Sequence, residues 1–189
     1  MRLLLENKTA VITGAARGIG KAIAMRFAEE GCNIAFTDLN EESIKATEAE
    51  LQALGVKAVG YMSNAAIFED VENTVKQIHQ DFGRIDILVN NAGTGAVAPA
   101  EEITDEQFKH EVEVDLFGTF VCAREFGKEM IKAHYGRIIN IASMYGLVGN
   151  MIVGSSPYHA AKGGVVNLTR ALAAEWGKYG ITVNSICPG

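Results

Sequence analysis

Tyr158 and Lys162 stand four residues apart in the segment YHAAK and could carry out acid–base chemistry together. Residues four apart lie on the same face of a helix, so the phenol and the ammonium would be neighbours. A free tyrosine has a pKa of about 10, and proton exchange near neutrality requires a decrease of about 3 units. One ammonium about 4 Å away, at an effective dielectric constant of about 20, supplies roughly the 4 kcal/mol that this decrease needs. The pair therefore predicts proton exchange with a substrate hydroxyl.

Ser143 is a third residue that could take part, because it directly follows Arg137–Ala142, an apolar segment expected to be a strand. Ligands of an open α/β sheet bind at the carboxyl ends of the strands. The hydroxyl of Ser143 could therefore hold a substrate oxygen by a hydrogen bond. A tyrosine and a lysine at this spacing can also be ordinary surface residues, and a serine after a strand can be a turn residue. The assignment therefore depends on the rest of the chain.

The segment Thr9–Gly20, TAVITGAARGIG, is typical of a strand that runs through a glycine turn into a helix. Gly14, Gly18 and Gly20 lie where backbone N–H groups at a helix N-terminus would be exposed. Glycine allows a pyrophosphate to approach the backbone closely, and the helix dipole adds roughly half a positive charge. A second strand ends at Asp38, about twenty residues beyond the turn, where a dinucleotide-binding unit places a carboxylate on the adenosine ribose. The two features together predict a dinucleotide-binding βαβ unit.

Strand and helix patterns alternate along the whole chain. Short apolar runs typical of strands are separated by longer amphipathic segments. The expected strands lie within Thr9–Gly20 and at Asn33–Asp38, Val56–Met62, Ile85–Val89, Arg137–Ala142 and Ile181–Cys187. The expected helices span Ile19–Glu30, about Glu41–Leu54, Ile67–Phe82, Thr104 to about His134 in one or two pieces, and Tyr158–Lys178. The alternation predicts the α/β fold class, a doubly wound parallel sheet (Rossmann-type) with helices on both faces, in a single dinucleotide-binding and catalytic domain of residues 1–189.

Composition and charge restrict the function. The 189 residues are enough for one well-buried domain, and a net charge of −6 argues against a nucleic-acid partner bound through its phosphates. No apolar run is long enough for a membrane span or a signal peptide, so we expect a cytoplasmic protein. Cys32, Cys122 and Cys187 show neither a metal-ligand pattern nor a disulfide framework, so we expect buried reduced thiols and no bound metal.

The motifs TGAARGIG, NNAG, the serine of NIAS, YHAAK and CPG occur in the order and approximate spacing of the short-chain dehydrogenase/reductase family. From Lys8 to Gly189 the sequence resembles that family. The resemblance implies an oxidoreductase that moves a hydride between a nicotinamide cofactor and a secondary alcohol or ketone. It implies that Tyr158 is the catalytic acid/base, that Lys162 lowers the pKa of that phenol and binds the nicotinamide ribose, and that Ser143 polarises the carbonyl.

The resemblance also implies which residues contact the cofactor. They come from the glycine turn, the ends of the next strands, the catalytic helix and the last motif. The expected set is Gly14, Arg17, Gly18, Ile19, Gly20, Asp38, Leu39, Ser63, Asn64, Asn90, Ala92, Gly93, Tyr158, Lys162, Pro188 and Gly189. Asp38 favours NAD over NADP, because a carboxylate bonds a ribose diol and repels a 2′-phosphate, whereas Arg17 could pair with that phosphate. We expect the effect of Asp38 to be stronger.

Three features depart from the family's pattern. Asp115 stands where the family usually has an asparagine that supports a proton-relay water, and we keep it as a fourth member of the catalytic set. Ser63, followed by Asn64, stands where an aspartate commonly meets the adenine amine, so a weaker contact is expected. Family members usually continue beyond the Pro-Gly motif. We therefore expect that the chain is incomplete and that its last strand is an exposed apolar edge.

Two substrate classes fit the motifs. The MYGLVGN stretch and Asp115 look similar to sugar-acid dehydrogenases of the gluconate 5-dehydrogenase kind, so a sugar acid or polyol is expected. The motif set equally resembles 3-oxoacyl-[acyl-carrier-protein] reductases, which normally use NADPH, a cofactor that Asp38 disfavours. A nucleotide-binding protein without turnover is a third alternative, but it would be expected to lack Tyr158 or Lys162.

The helix Tyr158–Lys178 is apolar around its whole circumference. Val165 and Leu172 belong to one stripe, whereas Val166 and Ala173 lie on other faces. Packing on a single sheet would not cover all of these side chains. We therefore expect a homodimer or homotetramer with this helix and the helix before Gly136 at its interfaces.

Overall fold

A six-stranded parallel sheet forms the centre of the residues that the computed structural model describes, which are 3–95, 97–152 and 154–189. The strands are β1 (Thr9–Thr13), β2 (Asn33–Asp38), β3 (Ala58–Met62), β4 (Ile87–Asn90), β5 (Gly136–Ile141) and β6 (Ile181–Ile186). Their order across the sheet is β3-β2-β1-β4-β5-β6. The chain therefore crosses from one side of β1 to the other between β3 and β4, which creates a crevice at the carboxyl ends of β1 and β4.

Helices connect the successive strands. They are α1 (Gly18–Glu29), α2 (Glu41–Gln52), α3 (Phe68–Phe82), α4 (Asp105–Val112), α5 (Gly118–Ala133) and α6 (Ser156–Trp176). None of the helices in the described ranges is long and apolar enough to cross a membrane.

Both faces of the sheet are covered, as the apolar strands require. Val11 of β1 packs into a cluster with Phe126 of α5, whereas Ile12, the next residue, packs on the opposite face with Leu51 of α2. This alternation follows from the two-residue period of a strand. Burying a side chain such as Phe126 stabilises the fold by about 1.5–3 kcal/mol. The predicted doubly wound parallel sheet is confirmed.

The helical run between β4 and β5 contains a π-helical segment, Glu113–Phe117, between α4 and α5. The N–H of Gly118 bonds to the carbonyl of Glu113, five residues back, which widens the helix locally. Asp115 lies within this segment and is fully buried. Sequence periodicity predicted helical structure here but not the wider turn that carries Asp115.

Helix α6 differs from the expected all-round apolar surface. Val166 is buried within the chain, in a small cluster with Ala142 and Val165, and does not lie on an uncovered face. That part of the expectation is wrong. Among the exposed side chains of α6 are the small residues Ala171 and Ala174.

The three cysteines are free thiols, but they are not equally buried. Cys32 and Cys122 are buried in the two main core clusters, whereas Cys187, which follows β6, is only partly buried. The expectation that all three thiols are buried is therefore wrong for Cys187. In the described sheet, β6 is the edge strand beyond β5.

Candidate active site

The turn between β1 and α1 has the geometry of a phosphate cradle. Gly14 and Gly18 have φ values of +63° and +59°, a region that residues with a side chain rarely adopt. A Cβ added to Gly18 would have no heavy atom within 4 Å, so this glycine faces open space. Arg17, the residue before α1, provides no side-chain cap for the helix. The first N–H groups of α1 are therefore available to an anion such as a pyrophosphate.

The loop after β4 is tied to this turn by Thr13 and Asn91, two residues outside the expected cofactor set. The hydroxyl of Thr13 accepts hydrogen bonds from the N–H groups of Asn91 and Ala92, each 3.0 Å long. The side-chain amide of Asn91 donates to the carbonyls of Thr13 and Gly14, each at 2.9 Å. A side chain at Gly20 would collide with this amide. Gly20 thus permits close packing of α1 on the loop.

Asp38, the last residue of β2, is held by two backbone groups. Its Oδ2 accepts from the N–H of Ala16 at 3.0 Å, and its Oδ1 accepts from the N–H of Leu39 at 2.8 Å. A carboxylate offers about four acceptor positions, so both oxygens can still accept hydrogen bonds from a ligand. The arrangement suits a vicinal diol.

A groove of about 470 Å³ lies over the carboxyl ends of β1, β2 and β4. Its walls contain most of the predicted cofactor residues together with six that were not predicted. The predicted ones are Gly14, Arg17, Gly18, Ile19, Asp38, Leu39, Ser63, Asn64, Ala92 and Gly93, and the others are Thr37, Ala65, Asn91, Thr94, His110 and Val114.

A second pocket of about 210 Å³ continues from this groove. The two cavities share lining residues from α1 and from the loop after β4, so they are neighbouring parts of one crevice. All four predicted catalytic residues line the second pocket. Its walls consist of Ile19, Asn91, Gly93, Thr94, Asp115, Ile141, Ala142, Ser143, Tyr158, Lys162 and Pro188.

Helix α6 begins just before Tyr158 and carries both Tyr158 and Lys162 into this pocket. The Nζ atom of Lys162 lies 5.4 Å from the centre of the Tyr158 ring. Ser143 follows β5, and its Oγ accepts a hydrogen bond from the N–H of Tyr145 at 3.2 Å. The serine hydrogen is therefore free to point toward a substrate oxygen.

Lys162 is only 4% exposed and forms a buried ion pair with Asp115. Its Nζ lies 3.0 Å from Oδ2 of Asp115 and donates to the carbonyl of Ile141 at 3.1 Å. The other carboxylate oxygen, Oδ1, accepts from the N–H of Thr94 at 2.7 Å. Burial raises the pKa of the Asp115 carboxyl, and the Lys162 charge and the Thr94 hydrogen bond oppose this effect.

Gly93 packs directly against the Asp115 carboxylate. A Cβ at this position would lie 3.0 Å from Oδ2 and 3.2 Å from Oδ1. The glycine of the NNAG motif is therefore needed for the ion pair to fit beneath the loop, a role that its position in the motif did not reveal.

Three predicted cofactor residues, Gly20, Asn90 and Gly189, do not line either cavity. The amide of Asn90 donates to Oδ1 of Asn140 at 2.9 Å, and the amide of Asn140 donates to the hydroxyl of Thr169 at 2.9 Å. This buried chain joins β4, β5 and α6. The Asn90 side chain thus supports the position of α6, the helix that carries Tyr158 and Lys162. Gly189 lies beside the side chain of Met144.

Aromatic side chains border Tyr158. The ring of Tyr145 meets the Tyr158 ring edge-on, with centroids 6.4 Å apart, and stacks on His159 at 4.6 Å. Asn150 donates to the Tyr145 hydroxyl at 3.0 Å. The stretch MYGLVGN, noted in the sequence, thus supplies polar groups next to the acid/base candidate.

Comparison with known proteins gives consistent matches over nearly the whole chain. The family model for short chain dehydrogenases matches residues 8–189. (2S)-[(R)-hydroxy(phenyl)methyl]succinyl-CoA dehydrogenase subunit BbsD of Thauera aromatica is 42% identical over 185 residues, which cover 98% of this chain and 73% of that protein. D-threitol dehydrogenase of Mycolicibacterium smegmatis is 40% identical over 184 residues, which cover 97% of this chain and 70% of that protein. The crystal structure of NAD⁺-bound xylitol dehydrogenase matches with a TM-score of 0.95 at 37% identity, covering 98% of this chain and 71% of that one.

Proposed function

The chain belongs to the short-chain dehydrogenase/reductase family and is an oxidoreductase acting on CH–OH groups, and we propose that it interconverts the secondary alcohol of a polyol or sugar acid with the ketone, using NAD. The observation that carries the proposal is the clustering of Ser143, Tyr158 and Lys162 in one pocket that opens into the glycine-lined groove. Ser143 reaches the pocket from the end of β5, whereas Tyr158 and Lys162 reach it from α6.

The groove fits a dinucleotide. The open face of Gly18, the uncapped start of α1 and the diol-accepting carboxylate of Asp38 suit a pyrophosphate and an adenosine ribose. Lys162 and Tyr158 would hold the nicotinamide end, with Pro188 at the wall of the same pocket. When bound, the cofactor accepts or supplies the hydride.

The protein's own residues supply the proton. In alcohol oxidation the Tyr158 phenolate accepts the hydroxyl proton of the substrate, and in ketone reduction the phenol returns it. The Lys162 ammonium stabilises the phenolate, and the Ser143 hydroxyl donates a hydrogen bond to the reacting oxygen. General acid–base catalysis of this kind contributes about 10²–10⁴-fold to the rate.

Asp38 supports NAD as the cofactor. Its two oxygens are fixed by Ala16 and Leu39 at the wall of the groove, where they would accept from a ribose diol. A 2′-phosphate at the same place would meet an anion in a partly desolvated site, which is unfavourable. Arg17 lines the same groove and could offset part of this repulsion, but it is exposed and therefore weaker.

A polyol or sugar acid is the favoured substrate class. The matched D-threitol and xylitol dehydrogenases are named for polyols, and Thr94 and Ser143 line the pocket that contains Tyr158, with the Tyr145 ring beside it. Acyl thioesters, as in 3-oxoacyl-[acyl-carrier-protein] reduction, are the second candidate, because the matched subunit BbsD is named for a CoA thioester.

A substrate screen distinguishes these alternatives. Polyols, sugar acids and 3-oxoacyl thioesters are assayed with both NAD(H) and NADP(H), and the Tyr158→Phe variant serves as the inactive control. Turnover of a polyol or sugar acid with NAD is expected. Preferential turnover of thioesters with NADPH would overturn the substrate and cofactor assignments. Cofactor binding without turnover across the panel would instead favour a nucleotide-binding protein without catalysis.

We also propose that the protein forms a homodimer or homotetramer. Apolar side chains remain exposed along the helical run that begins with α4, including Phe108 at 43% and Phe117 at 45% exposure, and the exposed face of α6 carries small residues. Mass measurement in solution tests this proposal, and a monomer at micromolar concentration would contradict it.

A further inference from the structure

The Lys162 ammonium faces two acidic groups. Oδ2 of Asp115 lies 3.0 Å from Nζ, and the centre of the Tyr158 ring lies 5.4 Å from Nζ. Both the lysine and the aspartate are removed from water, at 4% and 0% exposure. Water therefore screens little of the interaction between the Lys162 ammonium and the Asp115 carboxylate.

The surrounding elements contribute few other charges. His110 of α4 lies near Asp115, and the same helix carries the buried Glu111. Tyr145 lies edge-on to the Tyr158 ring, and His159 stacks on Tyr145. The loop after β4 offers only the neutral backbone of Gly93 and Thr94, and α5 offers the neutral Thr119, whose hydroxyl donates to the Asp115 carbonyl at 2.8 Å. The charge balance at Tyr158 thus depends mainly on Lys162 and Asp115.

We propose that Asp115 is a positioning and charge-compensating residue that raises the pH at which Tyr158 gives up its proton. The inference rests on the proposed role of Tyr158 as the acid/base. An ammonium alone would stabilise the phenolate, whereas an ammonium paired with a carboxylate at 3.0 Å presents little net charge to it. The enzyme should therefore oxidise alcohols best at alkaline pH, where the Tyr158 phenolate forms even though Asp115 compensates the Lys162 charge.

Asp115→Asn separates this charge effect from a purely structural role. Asparagine has nearly the same shape, but its single carbonyl oxygen can accept either from the Thr94 N–H or from Nζ of Lys162, because its NH2 group only donates. The negative charge beside Nζ would be removed, so the full Lys162 charge would act on Tyr158. Glu113→Gln is the matched control, because Glu113 lies in the same π-helical segment but is exposed.

The test measures Tyr158 ionisation in the cofactor-free protein. The ultraviolet absorbance of tyrosinate is followed against pH for the wild type, Asp115→Asn and Glu113→Gln, each minus its Tyr158→Phe counterpart. Asp115→Asn should lower the Tyr158 midpoint by about one pH unit, and Glu113→Gln should leave it unchanged. The pH profile of kcat/KM for alcohol oxidation should move in the same direction.

An unchanged midpoint in Asp115→Asn, or an equal shift in Glu113→Gln, would overturn the inference. The Tyr158 midpoint of the wild type could lie beyond the pH at which the fold survives. In that case a measurable Tyr158 midpoint in Asp115→Asn supports the inference. Identical pH profiles of kcat/KM for the wild type and Asp115→Asn contradict it. Failure of the proposed function would give a different result. Tyr158→Phe would then retain turnover, whatever the titration of Tyr158 shows.

Discussion

Asp38 Oδ2 accepts a hydrogen bond from the Ala16 N–H at 3.0 Å, which fixes the end of β2 against the glycine turn. The proposed ribose-binding carboxylate and the proposed phosphate cradle are thus one connected unit. A ligand that contacts both would meet groups whose relative positions are set before it binds, so little ordering is required on binding.

Asp38→Ala should weaken NAD binding and reduce the discrimination against NADP. The carboxylate is expected to make charge-assisted hydrogen bonds to the ribose, each worth about 1.5–3 kcal/mol, so the NAD dissociation constant should rise by roughly tenfold or more. The dissociation constants of NAD and NADP are measured before and after the substitution. Tighter binding of NADP than of NAD by the unmodified protein would contradict the cofactor assignment.

Gly18→Val should weaken cofactor binding by orders of magnitude. The backbone at Gly18 has φ +59°, and a branched side chain would stand in the open space where phosphate must approach. Gly83→Val is the matched control, because Gly83 has φ +70° and equally open surroundings but lies at the end of α3, outside the groove. Fluorescence titration with NADH measures both variants, and equal affinities for the two would refute the cradle assignment.

The sequence predicted the bounds of helices and strands well where apolar runs are short and bounded by glycine. β2 has the predicted bounds, and the ends of the other elements differ by a few residues. The strand alternation that buries Val11 and Ile12 on opposite faces also explains why Asn90 does not line the groove. Neighbouring residues at a strand end point to opposite sides, so Asn91 reaches the turn while Asn90 points into the buried chain with Asn140. Motif letters alone do not distinguish these two directions.

Other parts of the site depend on contacts between distant segments. Thr13 and Asn91 are 78 positions apart, and no local pattern indicates that they bond. The approach of Asp115 to Lys162 depends on the π-helical segment, which has no distinct hydrophobic period. Sequence patterns therefore predicted which residues gather at the site but not the contacts that hold them there.

Cysteine reactivity should distinguish the three thiols. Burial raises the pKa of Cys32 and Cys122 to about 12, so their reactive thiolate forms are scarce at neutral pH. Cys187 is only partly buried. Alkylation of the native protein near neutral pH, followed by peptide mass analysis, should modify Cys187 first. Comparable labelling of all three before unfolding would contradict the packing of the two core clusters.

Asp115 should make the stability of the protein depend on pH. Its carboxyl pKa is raised in the folded protein, mainly by burial. A group whose pKa is higher in the folded than in the unfolded protein stabilises the fold at pH values below the unfolded pKa. This contribution is lost as the pH rises through the folded pKa. The free energy of unfolding of the wild type should therefore fall relative to that of Asp115→Asn over the pH range that begins near the ordinary aspartate pKa of about 4. Urea unfolding across this range measures the difference, and the opposite trend would show that Lys162 lowers the carboxyl pKa overall.

Tyr158→Phe and Lys162→Ala should fail in different ways. Tyr158→Phe keeps the ring that packs beside Tyr145 and removes only the ionisable oxygen, so cofactor affinity should be retained while nearly all turnover is lost. Tyr179→Phe, at the far end of α6, controls for loss of a tyrosine hydroxyl elsewhere and should keep full activity.

Lys162→Ala should lose turnover, weaken NAD and also destabilise the fold. The ammonium is proposed to stabilise the phenolate and to bond the nicotinamide ribose, and its removal leaves the Asp115 carboxylate buried without its cation. Breaking a buried ion pair in this way costs about 3–5 kcal/mol.

Asp115→Asn retains the lysine and should keep activity within about tenfold at its own optimal pH, a barrier change below roughly 1.4 kcal/mol. If Tyr158→Phe retained wild-type turnover, proton transfer by this phenol would be refuted, because no other change in that variant affects the reacting oxygen.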